Sequence, residues 1–450
     1  MNFFSRIQMV YARFVRWVTV PQSGPEMNPI NFRNVQIDAI GVGLASTASP
    51  FLQVFIRLMG ASTLQVSMLT TMPAFTGLLL ALPLGRFLQT RKNIVPWFSA
   101  ARLAVLSCYT LTGLIAFILP EKLTILGVLG IWALATIPQT VLSITFNVVM
   151  NKVAGSAGRY ELMTHRWSIL GFTNAITALL AGQFLEGLPF LKIPFPLNYQ
   201  LMFIILSVGG IISYYFSSRI ILPDNPMVFD QARHSIRERV KEYLDLISSE
   251  KPFVSFVVKR FVFLAGTSMV LPLFQIYYLS LGANAFWIAL INIAANITVI
   301  MGYFFWMGTT RRRGSRVVLL ATTCGVALYP ILVGLTSQVW PMVIFAGLAG
   351  IFNAGLNLVM FDELMKRVPP DYSATFVAAA QGLQYLSAIF APLLSTWISD
   401  TFGFSVALIL GGAVSLVGFG MFLSEKLPQA RPEGTEVSAE VGAGPKAQAK

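Results

Sequence analysis

The chain has 450 residues, 55% of them hydrophobic and only 11% charged. A soluble domain carries roughly 25% charged residues, so this composition excludes a soluble enzyme, a disordered chain and a nucleic-acid-binding domain. The two cysteines, Cys108 and Cys324, sit inside apolar runs and exclude a disulfide scaffold or a thiolate metal site.

At the N-terminus, Met1–Val20 is interrupted by Arg6, Arg13 and Arg16 and lacks the apolar core of a signal peptide. Its Phe3, Phe4, Ile7, Tyr11, Phe14 and Val18 recur at helical spacing and predict a short interfacial helix. Charge-free windows follow at 39–56, 58–85, 103–120, 123–151, 167–185, 193–218, 261–310, 317–361, 372–399 and 401–424. A bilayer-spanning helix needs about 20 apolar residues. The windows 261–310 and 317–361 are therefore each long enough for two, with turn signals at Gly282-Ala283-Asn284 and Thr336-Ser337-Gln338-Val339-Trp340-Pro341. The chain reads as an all-α membrane protein of twelve transmembrane helices. Between the sixth and seventh, Pro223 to Lys251 reads as a linker. Ser235-Ile236-Arg237-Glu238 is a capping box there, and Ile236, Val240, Leu244 and Ile247 form an apolar stripe. The tail from Leu427, rich in Pro, Gly, Ala and Glu, is expected to be disordered.

The net charge of +13 arises from 32 Lys and Arg against 19 Asp and Glu. If the first span starts inside, 28 of those 32 cations fall on the inner side; Arg57, Lys122 and Lys192 fall outside, and Arg102 inside the third span. The positive-inside bias then predicts both termini in the cytoplasm, in a multi-pass protein of the cell membrane. The same distribution explains the basic charge as attraction to anionic lipid.

An internal repeat divides the spans. Pro50-Phe51-Leu52-Gln53-Val54-Phe55 with Gly60-Ala61 is matched by Pro272-Leu273-Phe274-Gln275-Ile276-Tyr277 with Gly282-Ala283. Asn147-Val148-Val149-Met150 is matched by Asn357-Leu358-Val359-Met360. Parallel repeats of this kind rock about a site at their interface. The expected boundaries are a cytoplasmic segment over 1–34, a six-helix bundle over 35–221, the linker over 222–251, a second bundle over 252–425 and the tail over 426–450.

With its 6 + 6 layout, long middle segment and basic loops after spans 2 and 8, the chain resembles the major facilitator superfamily of secondary transporters. Two gating-loop remnants carry part of that resemblance: Gly85 with Arg91 and Lys92, and Arg312, Gly314 and Arg316. Gln89 and Arg311 stand where the family's loop motif has Asp. The resemblance implies that spans 1, 4, 7 and 10 line a central cavity, with spans 2, 5, 8 and 11 beside them. On those spans the candidate cavity residues are Gln53, Gln139, Asn147, Asn174, Gln275, Asn292, Asn296, Asn353, Asn357, Gln381, Gln384 and Tyr385. Polar groups within apolar helices are costly unless they face a bundle interior or cavity. Each amide alone has a second reading, as hydrogen-bonding glue between helices.

Asp38 and Arg102, both embedded near the inner side, form a candidate ion pair; Asp38 as a proton-coupling group and Arg102 snorkelling to the interface are the open alternatives. Asp362 and Glu363 are expected to meet water or Lys366 and Arg367. Pro50, Pro73, Pro138, Pro272, Pro330 and Pro392 fall within spans as helix-shaping or hinge residues. His165 and His234 complete no catalytic or metal constellation, so neither an enzyme nor a cofactor is expected. The expected function is alternating-access transport of a small neutral polar or amphipathic solute, sugar- or drug-like, by a monomer, with proton coupling left open. The alternative is a transport-inactive sensor or assembly factor of the same shape.

Overall fold

The computed structural model describes residue 21 and residues 27–61, 63–186, 193–224, 245–283 and 285–424. The interfacial helix expected within Met1–Val20, the linker's capping box with most of its stripe, His234 and the tail from Leu427 lie outside the described residues.

Span 1 is two helices end to end, α1 (Pro29–Ser46) and α2 (Ala48–Leu58). α3 (Thr63–Gln89), α4 (Val95–Ile118), α5 (Glu121–Glu186) and α6 (Leu197–Ser217) complete the first half. The second half opens with another divided span, α7 (Lys251–Val270) and α8 (Leu273–Ser280). α9 (Ala285–Arg313), α10 (Ser315–Gly334), α11 (Trp340–Arg367), α12 (Ser373–Phe402) and α13 (Phe404–Leu423) follow. Eleven stretches among the described residues are long and apolar enough to cross a membrane, and one of them, Leu123–Leu185, is long enough for two crossings.

That long helix is where sequence and structure part most clearly. A loop was expected over residues 152–166, but α5 is helical on both sides of one residue, Gly155, whose φ is 63°. Residues eight apart on a straight helix lie about 12 Å apart. Arg159 Nε nevertheless donates to Asn151 Oδ1 at 2.7 Å, so the chain reverses at Gly155 and α5 supplies spans 4 and 5. A positive φ costs a glycine nothing, which lets one residue do the work of a loop.

Two helices also begin well before their charge-free windows. The Asn28 side chain caps α1 by accepting from Ile30 N–H at 2.9 Å, with Pro29 in the first turn. Pro252 likewise lies in the first turn of α7, which has no side-chain cap. Apolar windows mark the middles of spans, so Asp38 and Arg260 are carried inside helices.

The sequence repeat has a structural counterpart. Gly60 and Gly282 have φ of 92° and 83°, and each is followed by an alanine whose N–H reaches back five residues. Ala61 donates to Ile56 O at 2.9 Å, and Ala283 to Tyr278 O at 3.0 Å. Both are helix ends of the six-to-one type that a left-handed glycine permits. The first and last spans of each half also cross through small residues. Gly41 on α1 lies against the backbone of Gly209 and Ser213 on α6, and Gly266 on α7 against Gly411 and Ser415 on α13. Without a solvent-driven hydrophobic force inside a bilayer, such close backbone approach is what holds helices together.

Three buried clusters fill the interior. One draws on both halves, from Phe32, Val35 and Phe98 to Phe253, Phe361 and Phe376. The other two stay within one half each, around Phe55, Tyr109 and Phe203 in the first and Tyr277, Met342 and Leu408 in the second. The shared cluster lies towards the ends that carry Arg91, Lys92, Arg311 and Lys366, called here the basic face. The separate clusters lie towards the opposite face. The halves are therefore joined at one end and parted at the other.

Adding a methyl at Gly209 or Gly411 should cost about 1–3 kcal/mol through overpacking, read as a lower Tm of the detergent-solubilised protein. Gly130→Ala, where an added Cβ meets nothing within 4 Å, should leave Tm unchanged.

Candidate functional site

The joined end is held by charges and amides that cross between the halves. Arg159, in the first turn of span 5, pairs through Nη1 with Asp362 Oδ1 of α11 at 3.2 Å. Lys366 Nζ holds the other oxygen of Asp362 at 2.6 Å. Arg311 Nη2 at the end of α9 meets Glu161 Oε2 at 3.6 Å. Gln89, at the end of α3, donates to Asp371 O and accepts from Ala374 N–H at 3.1 Å. Glu363 is paired with Lys366 at 3.0 Å and Arg367 at 2.5 Å, as expected. Arg159 and Glu161 were missed because they were assigned to a loop that is helix.

The gating-loop remnants lie around this lock. Gly85 packs directly against Ala374 and Ala378 of α12, leaving no room for a Cβ. Gln89, standing where the family motif has Asp, supplies hydrogen bonds instead of charge. Arg91 lies over the Phe87 ring at 4.1 Å, and Lys92 pairs with Asp224 at 3.1 Å. Gly314 has a φ of 80° and starts α10, so its place in the Arg-x-Gly-x-Arg run is conformational. Arg312 is exposed.

Asp38 and Arg102 come together within the first bundle, at 3.4 Å from Oδ2 to Nη1. A third group joins them. Arg166 Nη2 approaches the same Oδ2 at 3.3 Å, and Ser213 Oγ donates to Oδ1 at 2.5 Å. All three charges are enclosed: Asp38 is 0% exposed, Arg102 3% and Arg166 2%. Arg166 was taken for an inner helix end beside His165, a consequence of the same loop assignment.

Between the halves, on the side away from the lock, two clefts lie among the described residues. The larger, about 450 Å³, lies among spans 1, 5 and 8 and is lined by residues including Ile40, Phe172, Thr173, Thr177, Ile300 and Phe304. The second, about 370 Å³, lies among spans 2, 4 and 11, with Met68, Met72, Phe75, Thr76 and Ile389 on its walls. Their linings are aliphatic, aromatic and hydroxyl-bearing, with no charged residue. None of the twelve candidate residues lines either cleft.

Several of those twelve act as glue. Asn174 donates to Gly43 O and Ser46 Oγ at 3.5 and 3.4 Å, tying span 5 to span 1. Gln384 accepts from Arg260 at 2.9 Å, tying span 11 to span 7. Asn357 donates to Tyr303 Oη at 3.4 Å. Asn147 and Asn353 turn back on their own helices, to Ser143 O and Ala349 O, each at 2.9 Å. Tyr385 differs, because its hydroxyl meets Ser143 Oγ at 3.0 Å across the seam between the halves. Asn292 and Asn296 are exposed on α9. Gln53, Gln139, Asn296 and Gln381 make no side-chain hydrogen bond among the described residues. The side chain of Gln275 lies outside what is described.

Arg260, counted among the inner-side cations, stands nine residues into α7.

Twelve spans in two joined halves among the described residues, a lock at one end and clefts towards the other define a polytopic membrane protein of the two-bundle class. The sequence model described as Major Facilitator Superfamily matches residues 256–447. The multidrug resistance protein MdtG of Citrobacter koseri is 24% identical over 163 residues, 34% of this chain and 39% of that one. The uncharacterized MFS-type transporter YuxJ of Bacillus subtilis is 25% identical over 167 residues, 35% and 42% of the two chains. The matched region thus spans about two-fifths of these curated relatives. Among solved structures, the E. coli fucose:proton symporter FucP aligns with a TM-score of 0.67 at 13% identity, over 87% of this chain and 97% of that one. The human organic anion transporter MFSD10 aligns at 0.65 and 10% identity, over 90% and 99%. The sequence model of that superfamily thus matches the second half of the chain, and the fold is shared with transporters of known structure along nearly its whole length.

Asp38→Asn should leave two enclosed guanidiniums facing a neutral group. Breaking a buried pair costs about 3–5 kcal/mol, so a large fall in Tm and in yield of folded protein is expected. Asp362→Asn should loosen the lock instead. A cysteine placed at Ala378 should then react faster with a thiol reagent from the basic side, while Tm changes little.

Proposed function

We propose that the protein is a secondary transporter that carries a small amphipathic organic solute through the cell membrane by alternating access. On this reading both termini are cytoplasmic, the basic face is the closed inner gate, and the clefts open outward. The observation that carries it is the arrangement of the interior: one core shared between the halves at the basic face, and two separate cores with uncharged clefts between them towards the other. Two bundles joined at one end can exchange that contact for one at the other end, which is the motion alternating access needs.

The cleft linings support a drug-like amphipath over a sugar. A sugar offers many hydroxyls that require amide or charged partners, whereas these walls present mainly rings, aliphatic groups and a few threonines. The unbonded amides of Gln53, Gln139, Asn296 and Gln381 are the polar contacts we assign to the solute's path. The relatives named as multidrug resistance proteins support the same drug-like solute class. Asp38, held by two guanidiniums and a serine, serves as a structural counter-ion, and a proton-coupling role is assigned to no residue. The transporter acts as a monomer without a cofactor.

Reconstituted in vesicles, the protein should move a lipophilic fluorescent solute at a rate that saturates with its concentration. Phe172→Ala and Phe304→Ala, at the larger cleft, should weaken apparent solute affinity about tenfold, since burying an aromatic ring contributes roughly 1.5–3 kcal/mol. No saturable flux with any of a panel of sugars and amphipaths would defeat the reading.

A further inference from the structure

Arg260 lies about 13 Å along α7 from Lys251, well into the span. Its Nη2 donates to Gln384 Oε1 at 2.9 Å. Its Nε and Nη1 are enclosed by protein and have no hydrogen-bond partner among the described residues. Among the described residues no carboxylate pairs with it. This sets it apart from Arg102 and Arg166, which share Asp38, and from Arg159, which holds Asp362.

An enclosed cation with idle donors is costly, and proteins keep such groups where something binds them. The neighbourhood suits a ligand. Gln384 fixes one side of the guanidinium, which leaves the remaining donors set in a plane. Gln381 and Tyr385 lie three residues before and one after Gln384 on α12. Gln381 has no hydrogen bond, and Tyr385 reaches Ser143 across the seam between the halves. The cation is thus one residue from the surface where the two bundles part. Charge-assisted hydrogen bonds from a guanidinium to an oxyanion are about twice as strong as neutral ones.

The geometry points to Arg260 as the docking point for an acidic group on the transported solute, an amphipath carrying one carboxylate-type oxyanion. This rests on the transport reading above and adds the charge of the solute to it. The rings of the clefts take the apolar body, and Arg260 with Gln384 takes the acid.

The test compares an aromatic carboxylate with its methyl ester on the full chain in vesicles of zwitterionic phosphatidylcholine. Binding is read by tryptophan fluorescence, and flux separately. The wild type should bind the carboxylate about tenfold or more tightly than the ester. R260Q should bring the carboxylate to the ester's level. Q384E supplies an internal counter-charge, so it should remove the preference while keeping or raising Tm, and it decides the matter if R260Q fails to fold. Equal binding in the wild type, or a preference that survives Q384E, would overturn the proposal. Adding anionic phosphatidylglycerol separates two sources of oxyanion: an unchanged preference supports the solute, and its loss assigns the site to a lipid headgroup and overturns the proposal. A preference in binding without flux of either compound would defeat transport and leave the Arg260 site standing; flux of both without preference would do the reverse.

Discussion

Charge cannot be left alone in hydrocarbon, and that constraint organises this molecule. At two places where arginines enter the helical interior the structure brings an acid to meet them, Asp38 between Arg102 and Arg166 and Asp362 against Arg159, whereas Arg260 meets the Gln384 amide. The two sites do different jobs because of where they lie. The Asp38 cluster is sealed inside one bundle, where it ties spans 1, 3, 5 and 6 into a single body. The Asp362 pair crosses between bundles at the basic face, where water is near and separating it costs less. The internal cluster ties one half together, and the peripheral pair joins the two halves.

Packing follows the same division. Within each half, helices meet through glycine and serine at backbone distance, as at Gly41 with Gly209 and Gly266 with Gly411. Between the halves the contacts are fewer in kind: Gln89 on the start of α12, Gly85 against Ala378, and Tyr385 on Ser143. These polar contacts border the apolar core that the halves share at the basic face.

Much of the fold was legible in the sequence because the bilayer restricts the options. Charge-free windows gave the twelve spans, and the Pro-to-Gly-Ala repeat exposed the duplicated halves, with Gly60 and Gly282 taking the same left-handed conformation. The site was less legible, for one identifiable reason. Windows end at charges, whereas helices end at caps. Arg159, Glu161 and Arg166 therefore fall in the expected loop and Arg260 among the inner-side charges outside the window, although each belongs to a helix. The Asp38–Arg102 pairing could be anticipated from cost alone, but its third member could not. The amides were ambiguous because the same side chain serves as glue or as lining, and only its partner distinguishes the two. Asn174 and Gln384 proved to be tied to neighbouring helices, while Gln139 and Gln381 did not.

The reversal at Gly155 gives the molecule a lever. With a single residue joining them, spans 4 and 5 have no slack, so tilting one must tilt the other. That hairpin carries Ser143 at the seam, Phe172 and Thr173 on a cleft wall, and Arg159 and Glu161 at the closed end. Cleft wall, seam and closed end thus share one continuous piece of backbone, with no relay of side chains in between.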